Sequence, residues 1–182
     1  MTTTADPIAI KLDRLFEVAD TNADGYVEWA DYERIIDRLL VAYKIGKSDR
    51  RAQTLRVAYQ MYWMELLRHA DGESRLSRDQ YHLACRFAAV DTSRFNLVEG
   101  LPHALFDVMD TDGDDSVSQA EFKQYLEAWA IADPTALEAF AKLDTDGDGF
   151  ISRHEFIRAV REFFYSPDLD APGSLIFGAV GT

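Results

Sequence analysis

The sequence predicts an all-α chain built from four helix–loop–helix units in two pairs, with short antiparallel β contacts between paired loops. Three observations predict it. Acidic segments of twelve residues, two of them with a glycine at the sixth place, recur at 20–31, 110–121 and 144–155. A damaged copy of the same pattern occupies 69–80. Apolar residues at three- and four-residue spacing flank every copy, as expected of helices that bury one face. The 182 residues suffice for one compact domain or two small lobes, and an apolar fraction of 47% is that of a globular chain rather than of an acidic disordered tail.

The elements follow in order. Asp6 and Pro7 open the first helix: a side-chain oxygen caps it, and proline lacks the N–H that a first turn cannot use. Ile8, Leu12, Leu15 and Phe16 form its apolar face. The segment DTNADGYVEWAD then places Asp20, Asn22 and Asp24 at positions 1, 3 and 5, Gly25 at 6, the Tyr26 carbonyl at 7, Val27 at 8, Glu28 at 9 and Asp31 at 12. Tyr32, Ile35, Ile36, Leu39 and Leu40 carry the exit helix, predicted to end near Gly46. Ser48 or Asp49 caps a long helix with Leu55, Tyr59, Tyr62, Trp63, Leu66 and Leu67. In the damaged segment His69 stands at position 1, Ser74 at 6, Leu76 at 8 and Gln80 at 12, leaving Asp71 and Glu73 as the carboxylates. It is predicted to fold, to pair Leu76 with Val27, and to bind no ion. Tyr81, Leu83, Ala84 and Phe87 form the next helical face, and residues 91–96 link the halves.

The second half repeats the plan. A helix with Leu105, Phe106 and Met109 enters DTDGDDSVSQAE, where Asp110, Asp112 and Asp114, the Ser116 carbonyl, Val117 and Glu121 take the corresponding places. Asp115 stands at position 6, where glycine is usual. Asp tolerates the left-handed backbone better than most residues, at some cost. Phe122, Tyr125, Leu126 and Trp129 leave this loop, Asp133–Pro134 repeats the start signal, and Leu137, Phe140 and Leu143 lead to DTDGDGFISRHE. There Asp144, Asp146 and Asp148, Gly149, the Phe150 carbonyl, Ile151 and Glu155 complete the set, followed by Phe156, Val160, Phe163 and Phe164.

The chemistry of the spacing is that of a hard cation. Ca²⁺ takes six to eight oxygens at about 2.3–2.6 Å, and these positions supply carboxylates, one backbone carbonyl and a final two-oxygen carboxylate from a single short segment, the EF-hand arrangement. Three Ca²⁺ ions are predicted. Asp31 is one methylene shorter than Glu, which makes 20–31 the place where Mg²⁺ competes best. The formal charge of −13 makes nucleic acid and anionic membranes poor partners. Three Ca²⁺ would add +6 and leave −7, so much of the acidity is directed at metal. One cysteine, Cys85, excludes an internal disulfide, fits a reducing compartment and reads as a buried thiol. The start MTTTADPIAI carries no signal peptide or myristoylation glycine, and no apolar run reaches membrane-spanning length. The reading is a cytoplasmic monomer.

GKS at 46–48 lacks the glycines of a phosphate loop, and HEFIR at 154–158 lacks the second histidine of a zinc-protease helix. The EF-hand register accounts for the carboxylates, so no enzyme is predicted. The three intact loops, the defective second one, the long first-to-second gap and the C-terminal tail together resemble the sarcoplasmic calcium-binding proteins and bacterial calerythrin, and more loosely calexcitin. The resemblance implies a compact four-EF-hand Ca²⁺ buffer, divided as 1–92, 93–165 and a tail, 166–182. Asp115 departs from the pattern. The alternative is a sensor that opens an apolar groove to a partner. Few methionines (Met61, Met64 and Met109 beyond the first) and a tail carrying Leu175, Ile176, Phe177 and Val180, expected to fill a groove within the molecule, favour the buffer.

Overall fold

The computed structural model describes residues 6–91, 93, 96, 99–131 and 133–180. In chain order the elements are α1 (Pro7–Ala19), β1 (Tyr26–Glu28), α2 (Trp29–Ala42), α3 (Arg50–Leu67), β2 (Arg75–Ser77), α4 (Arg78–Val90), α5 (Gly100–Met109), β3 (Ser116–Ser118), α6 (Gln119–Ala128), α7 (Asp133–Leu143), β4 (Phe150–Ser152) and α8 (Arg153–Tyr165), followed by a 3-10 turn, Pro172–Leu175. The predicted helix–loop–helix units are therefore present. The linker expected at 91–96 and the Asp133 side chain lie largely or wholly outside the described residues.

Local chemistry fixes the ends of the helices. The Asp6 carboxylate accepts from the Ile8 N–H at 3.0 Å, and Asp49, rather than Ser48, accepts from the Arg51 N–H at 2.8 Å. The exit of α2 differs from expectation. Its left-handed residue is Lys44 (φ 55°), not Gly46, because the chain must turn in time to return Ile45 to the core. The N–H of Ile45 reaches back to the Leu40 carbonyl at 2.8 Å and that of Lys44 to Val41 at 3.2 Å, a Schellman closure. The same closure recurs after α6, with Ala130 left-handed and Ile131 donating to Leu126 at 2.8 Å.

The loops pair as two antiparallel ribbons, β1 with β2 and β3 with β4, with Val27 opposite Leu76 and Val117 opposite Ile151. All four of these side chains are fully buried. An internal repeat binds each pair. Arg78 lies over the Phe16 ring and bonds Asp13 at 2.8 Å, while Arg153 lies over Phe106 and bonds Asp107 at 2.8 Å. Phe16 meets Tyr81, and Phe106 meets Phe156, at corresponding places.

Two helical faces turn differently from the sequence reading. Leu83 and Phe87 on α4 point outward while Ala84, Cys85 and Ala88 face the core, and Phe87 stacks on His69 with ring centres 4.7 Å apart. On α7, Leu137 is exposed and Ala136, Ala139 and Phe140 are buried. Small residues on these inner faces let the helices approach closely. A wide apolar pattern cannot say which of two adjacent stripes does this.

Contacts between halves are specific. The Tyr43 hydroxyl donates to the Glu121 carbonyl at 2.6 Å, and Tyr165 donates to the Ala89 carbonyl at 2.9 Å. Lys11 is fully buried, and its ammonium donates to the Glu162 and Ser166 carbonyls at 3.1 and 2.9 Å, at the negative end of the α8 dipole. Beyond α8 the chain folds back. Leu175, Ile176 and Phe177 are buried, Phe177 sits edge-on to Trp129 and Phe163, and its carbonyl accepts from Arg14 at 2.9 Å. Gly173 is required here: a Cβ at this residue would stand 2.1 Å from the Ala159 carbonyl oxygen.

Candidate metal centres

The three intact loops share one wiring. In 144–155, Asp144 Oδ1 accepts from the Gly147 and Asp148 N–H groups at 2.9 and 3.1 Å, and Oδ2 accepts from Gly149 at 3.0 Å. Asp148 Oδ1 accepts from Phe150 at 2.8 Å. In 110–121, Asp110 takes the same donors from Gly113, Asp114 and Asp115, and Asp114 accepts from Ser116. In 20–31, Asp20 holds Asp24 and Gly25, and Asp24 holds Tyr26. These bonds bend each loop around its first aspartate and turn the carboxylates inward.

The result is convergence. Within 4.8 Å of one another lie carboxylate oxygens of Asp110, Asp112 and Asp114, and likewise those of Asp144, Asp146 and Asp148. Like charges at this separation repel. Burial and the neighbouring Asp114, Glu121 and Asp110 raise the Asp112 carboxyl above its ordinary range, with one backbone bond opposing them. A hard cation relieves that repulsion, so the donor set fits Ca²⁺. Asn22 contributes an amide in place of the second carboxylate in the first loop, and its nitrogen donates to Asp24 at 2.9 Å.

Position 12 is held from both sides. Glu155 Oε1 accepts from the Thr145 N–H and hydroxyl at 2.8 and 2.7 Å, and Oε2 accepts from the Ser152 N–H and hydroxyl, both at 2.9 Å. Burial works to raise this carboxyl, but the four bonds overcome it and hold it at about 2. Glu121 is wired identically to Thr111 and Ser118. Asp31 accepts from Thr21 in the first loop and from the Glu28 N–H. The threonines at position 2 are the residues that reading position by position passed over. The recurrent Asp–Thr start of all three loops was the available signal.

The damaged loop lacks this wiring. Ala70 stands where the threonine belongs, and Gln80 accepts from the Ser77 N–H at 2.9 Å, keeping only the helix-capping half of the role. Its backbone turns at Asp71 and Gly72, with positive φ at both and not at Ser74. Asp115, the residue in doubt in the third loop, adopts the left-handed backbone (φ 63°), makes the bond a glycine would make to Asp110, and pairs with Arg153 at 2.8 Å.

Comparison with known proteins agrees with this geometry. A family model described as an EF-hand domain pair matches residues 103–161, and one described as an EF hand matches 12–36. A luciferin-binding protein of Renilla reniformis is 28% identical over 164 residues, 87% of this chain and 86% of that protein. A calcium-binding protein of Streptomyces coelicolor, whose structure is described in terms of prokaryotic calcium-mediated regulation, superposes with a TM-score of 0.73 at 26% identity, covering 86% of this chain and 97% of that one. A sarcoplasmic calcium-binding protein from amphioxus gives a TM-score of 0.71 at 20% identity over 94% and 97% of the two chains, a likeness of fold. Loop wiring, paired ribbons, matching models and shared architecture converge: the chain carries EF-hand calcium-binding units and has the fold of the sarcoplasmic calcium-binding proteins.

Proposed function

We propose that the protein is a cytoplasmic, monomeric, non-enzymatic Ca²⁺ buffer with three ion sites. Asp20, Asn22, Asp24, the Tyr26 carbonyl, Glu28 and Asp31 form the first, the one most open to Mg²⁺. Asp110, Asp112, Asp114, the Ser116 carbonyl and Glu121 form the second. Asp144, Asp146, Asp148, the Phe150 carbonyl and Glu155 form the third. The observation that carries buffer over sensor is the tail: Ile176 is fully buried and Phe177 nearly so, so the apolar face a partner helix would use is already covered from within. Calorimetric titration of chelated protein tests the stoichiometry, with three ions expected. A hydrophobic dye tests the role. It is expected to bind the metal-free form more than the Ca²⁺ form. Dye binding that rises on Ca²⁺ addition overturns the buffer reading in favour of the sensor.

A second reading is small-molecule binding, and a specific observation favours it. A cavity of about 40 Å³, lined by Tyr59, Tyr125, Trp129 and Phe177 among others, lies inside the molecule. The Tyr59 and Tyr125 hydroxyls and the Trp129 indole N–H are buried without a hydrogen-bond partner among the described residues. That volume holds roughly three waters, so an aromatic ligand enters only if the Phe177 ring yields its place. The aromatic lining and the three unpaired donors make an aromatic hydrogen-bond acceptor the class to try, and a luciferin-binding relative is consistent with a small-molecule ligand. Quinoxaline, which accepts hydrogen bonds, is expected to quench Trp129 fluorescence more than naphthalene, and more strongly in Phe177→Ala. No quenching by either compound in that variant refutes this reading.

A further inference from the structure

Loop 20–31 differs from the other two at a residue outside the twelve. Arg34 lies three residues beyond Asp31 on α2, and its Nη1 donates to Asp31 Oδ1 at 2.7 Å and to the Thr21 hydroxyl at 2.8 Å. The Asp31 side chain is fully buried, whereas that of Arg34 is 42% exposed. Asp31 Oδ1 thus serves the Thr21 N–H at 3.0 Å, the Thr21 hydroxyl at 2.5 Å and a guanidinium, while Oδ2 serves the Glu28 N–H at 2.9 Å. In the last loop the same helical place is taken by Arg158. Its guanidinium bonds the Thr145 hydroxyl at 2.6 Å and faces Glu162 at 3.7 Å, with no hydrogen bond or ion pair to Glu155 among the described contacts. In the third loop that place is Gln124. Asp31 Oδ1 meets Thr21 as Glu121 and Glu155 Oε1 meet Thr111 and Thr145, and it additionally carries the Arg34 guanidinium.

We infer that Arg34 determines the metal selectivity of loop 20–31, by holding back and partly neutralising the carboxylate that would otherwise give a Ca²⁺ ion its last oxygens. This rests on the reading that the loops hold cations. Ca²⁺ needs a large oxygen set and uses a two-oxygen carboxylate at position 12, whereas Mg²⁺ is satisfied by six ligands, several of them water. With Asp31 engaged by Arg34, the remaining donors, Asp20, Asn22, Asp24, the Tyr26 carbonyl and Glu28, form a smaller set that suits the smaller ion. A guanidinium is always charged, so its hold on Asp31 Oδ1 through Nη1 persists across physiological pH. Loops 110–121 and 144–155 have their glutamates bonded only to neutral donors among the described contacts, and keep their charge for Ca²⁺.

The first loop offers a site-specific readout. Its position 7 is Tyr26, where the other two loops have Ser116 and Phe150. Tyrosine-sensitised Tb³⁺ luminescence, with Tyr26→Phe as the blank, therefore follows this loop, and displacement by Ca²⁺ and by Mg²⁺ gives its preference. Arg34→Gln is expected to raise Ca²⁺ competition at this loop about tenfold and Mg²⁺ competition much less. Arg34→Lys keeps the charge and is expected to stay near the wild type. Arg158→Gln is expected to leave both ions' competition at the first loop unchanged. A Ca²⁺-to-Mg²⁺ ratio in Arg34→Gln within twofold of wild type overturns the inference, as does a fall in Ca²⁺ competition, which would make Arg34 a support for Asp31. Should Arg34→Gln not fold, Arg34→Met, which keeps the aliphatic stem and loses the charge, takes its place with the same rise expected and the same unchanged ratio counting against the inference. Calorimetry of the wild type keeps the two readings apart: failure of loops 110–121 and 144–155 to take Ca²⁺ refutes the proposed function, whereas two ions bound there with a Tb³⁺ signal insensitive to residue 34 refutes only the role of Arg34.

Discussion

Gly173→Ala adds one methyl group at the place where the tail crosses α8. The new Cβ would lie 2.1 Å from the Ala159 carbonyl oxygen, 2.8 Å from that carbonyl's carbon and 2.8 Å from Glu162 Cβ. Two of these neighbours are backbone atoms inside a helix, which cannot rotate away, so the tail must shift. Overpacking of this kind costs about 1–3 kcal/mol. For a chain of this length each kcal/mol moves the melting temperature by about 2–4 °C. The loss has a ceiling, because a tail that cannot seat itself can leave altogether, and then the variant behaves as a chain ending at Pro167. The assay is thermal unfolding in saturating Ca²⁺ for wild type, Gly173→Ala and that truncated chain, with dye binding measured alongside. Gly173→Ala is expected to melt below the wild type and no lower than the truncated chain, and to bind more dye than the wild type. An unchanged melting temperature would refute the close crossing. A loss larger than that of the truncation would show that the methyl damages α8 itself.

Further outcomes follow from other contacts. Glu155→Gln removes a charged oxygen and one of the acceptors that hold Thr145 and Ser152; it is expected to weaken one Ca²⁺ site at least about tenfold and leave two, as read by calorimetry. Tyr43→Phe deletes the 2.6 Å bond to the Glu121 carbonyl; a loss of about 1 kcal/mol in denaturant unfolding is expected, with Ca²⁺ weakened at 110–121 rather than at 144–155. Burial pushes the Cys85 thiol up to about 12, so at pH 8 in Ca²⁺ it is expected to ignore Ellman's reagent and to react once chelation loosens the fold. Prompt stoichiometric reaction in Ca²⁺ would contradict its packing against Tyr62.

The loops were legible because an ion's demands fix residue types at fixed intervals: Asp110, Asp144 and Glu155 fall at the ends of their twelve-residue loops, between the helices expected on either side. Strand register was legible for the same reason, since Val27, Leu76, Val117 and Ile151 occupy one position of a repeating unit. Helix faces were less so. Leu83, Phe87 and Leu137 obey helical spacing yet point outward, because a broad apolar stripe leaves the rotation of a helix to be decided by its neighbours. The exit of α2 at Lys44 was hidden because burial of Ile45 outweighed the local preference for glycine. Arg34 was invisible because its partner is set by how far a side chain reaches, and spacing alone does not report reach.

Glu121 and Glu155 each belong to two structures at once. Each is the third residue of its exit helix, closing a capping box with Ser118 or Ser152, and each stands at the last place of its twelve-residue loop. On the proposed reading an ion at the loop and the first turn of the helix share one carboxylate, and a calorimetric titration is expected to register the heat of both. Gln80 shows that the two tasks can be divided. It starts α4 through the same box with Ser77 but brings no charge to its loop. A degenerate repeat can thus lose the charge at its last place and still keep a partner ribbon in register.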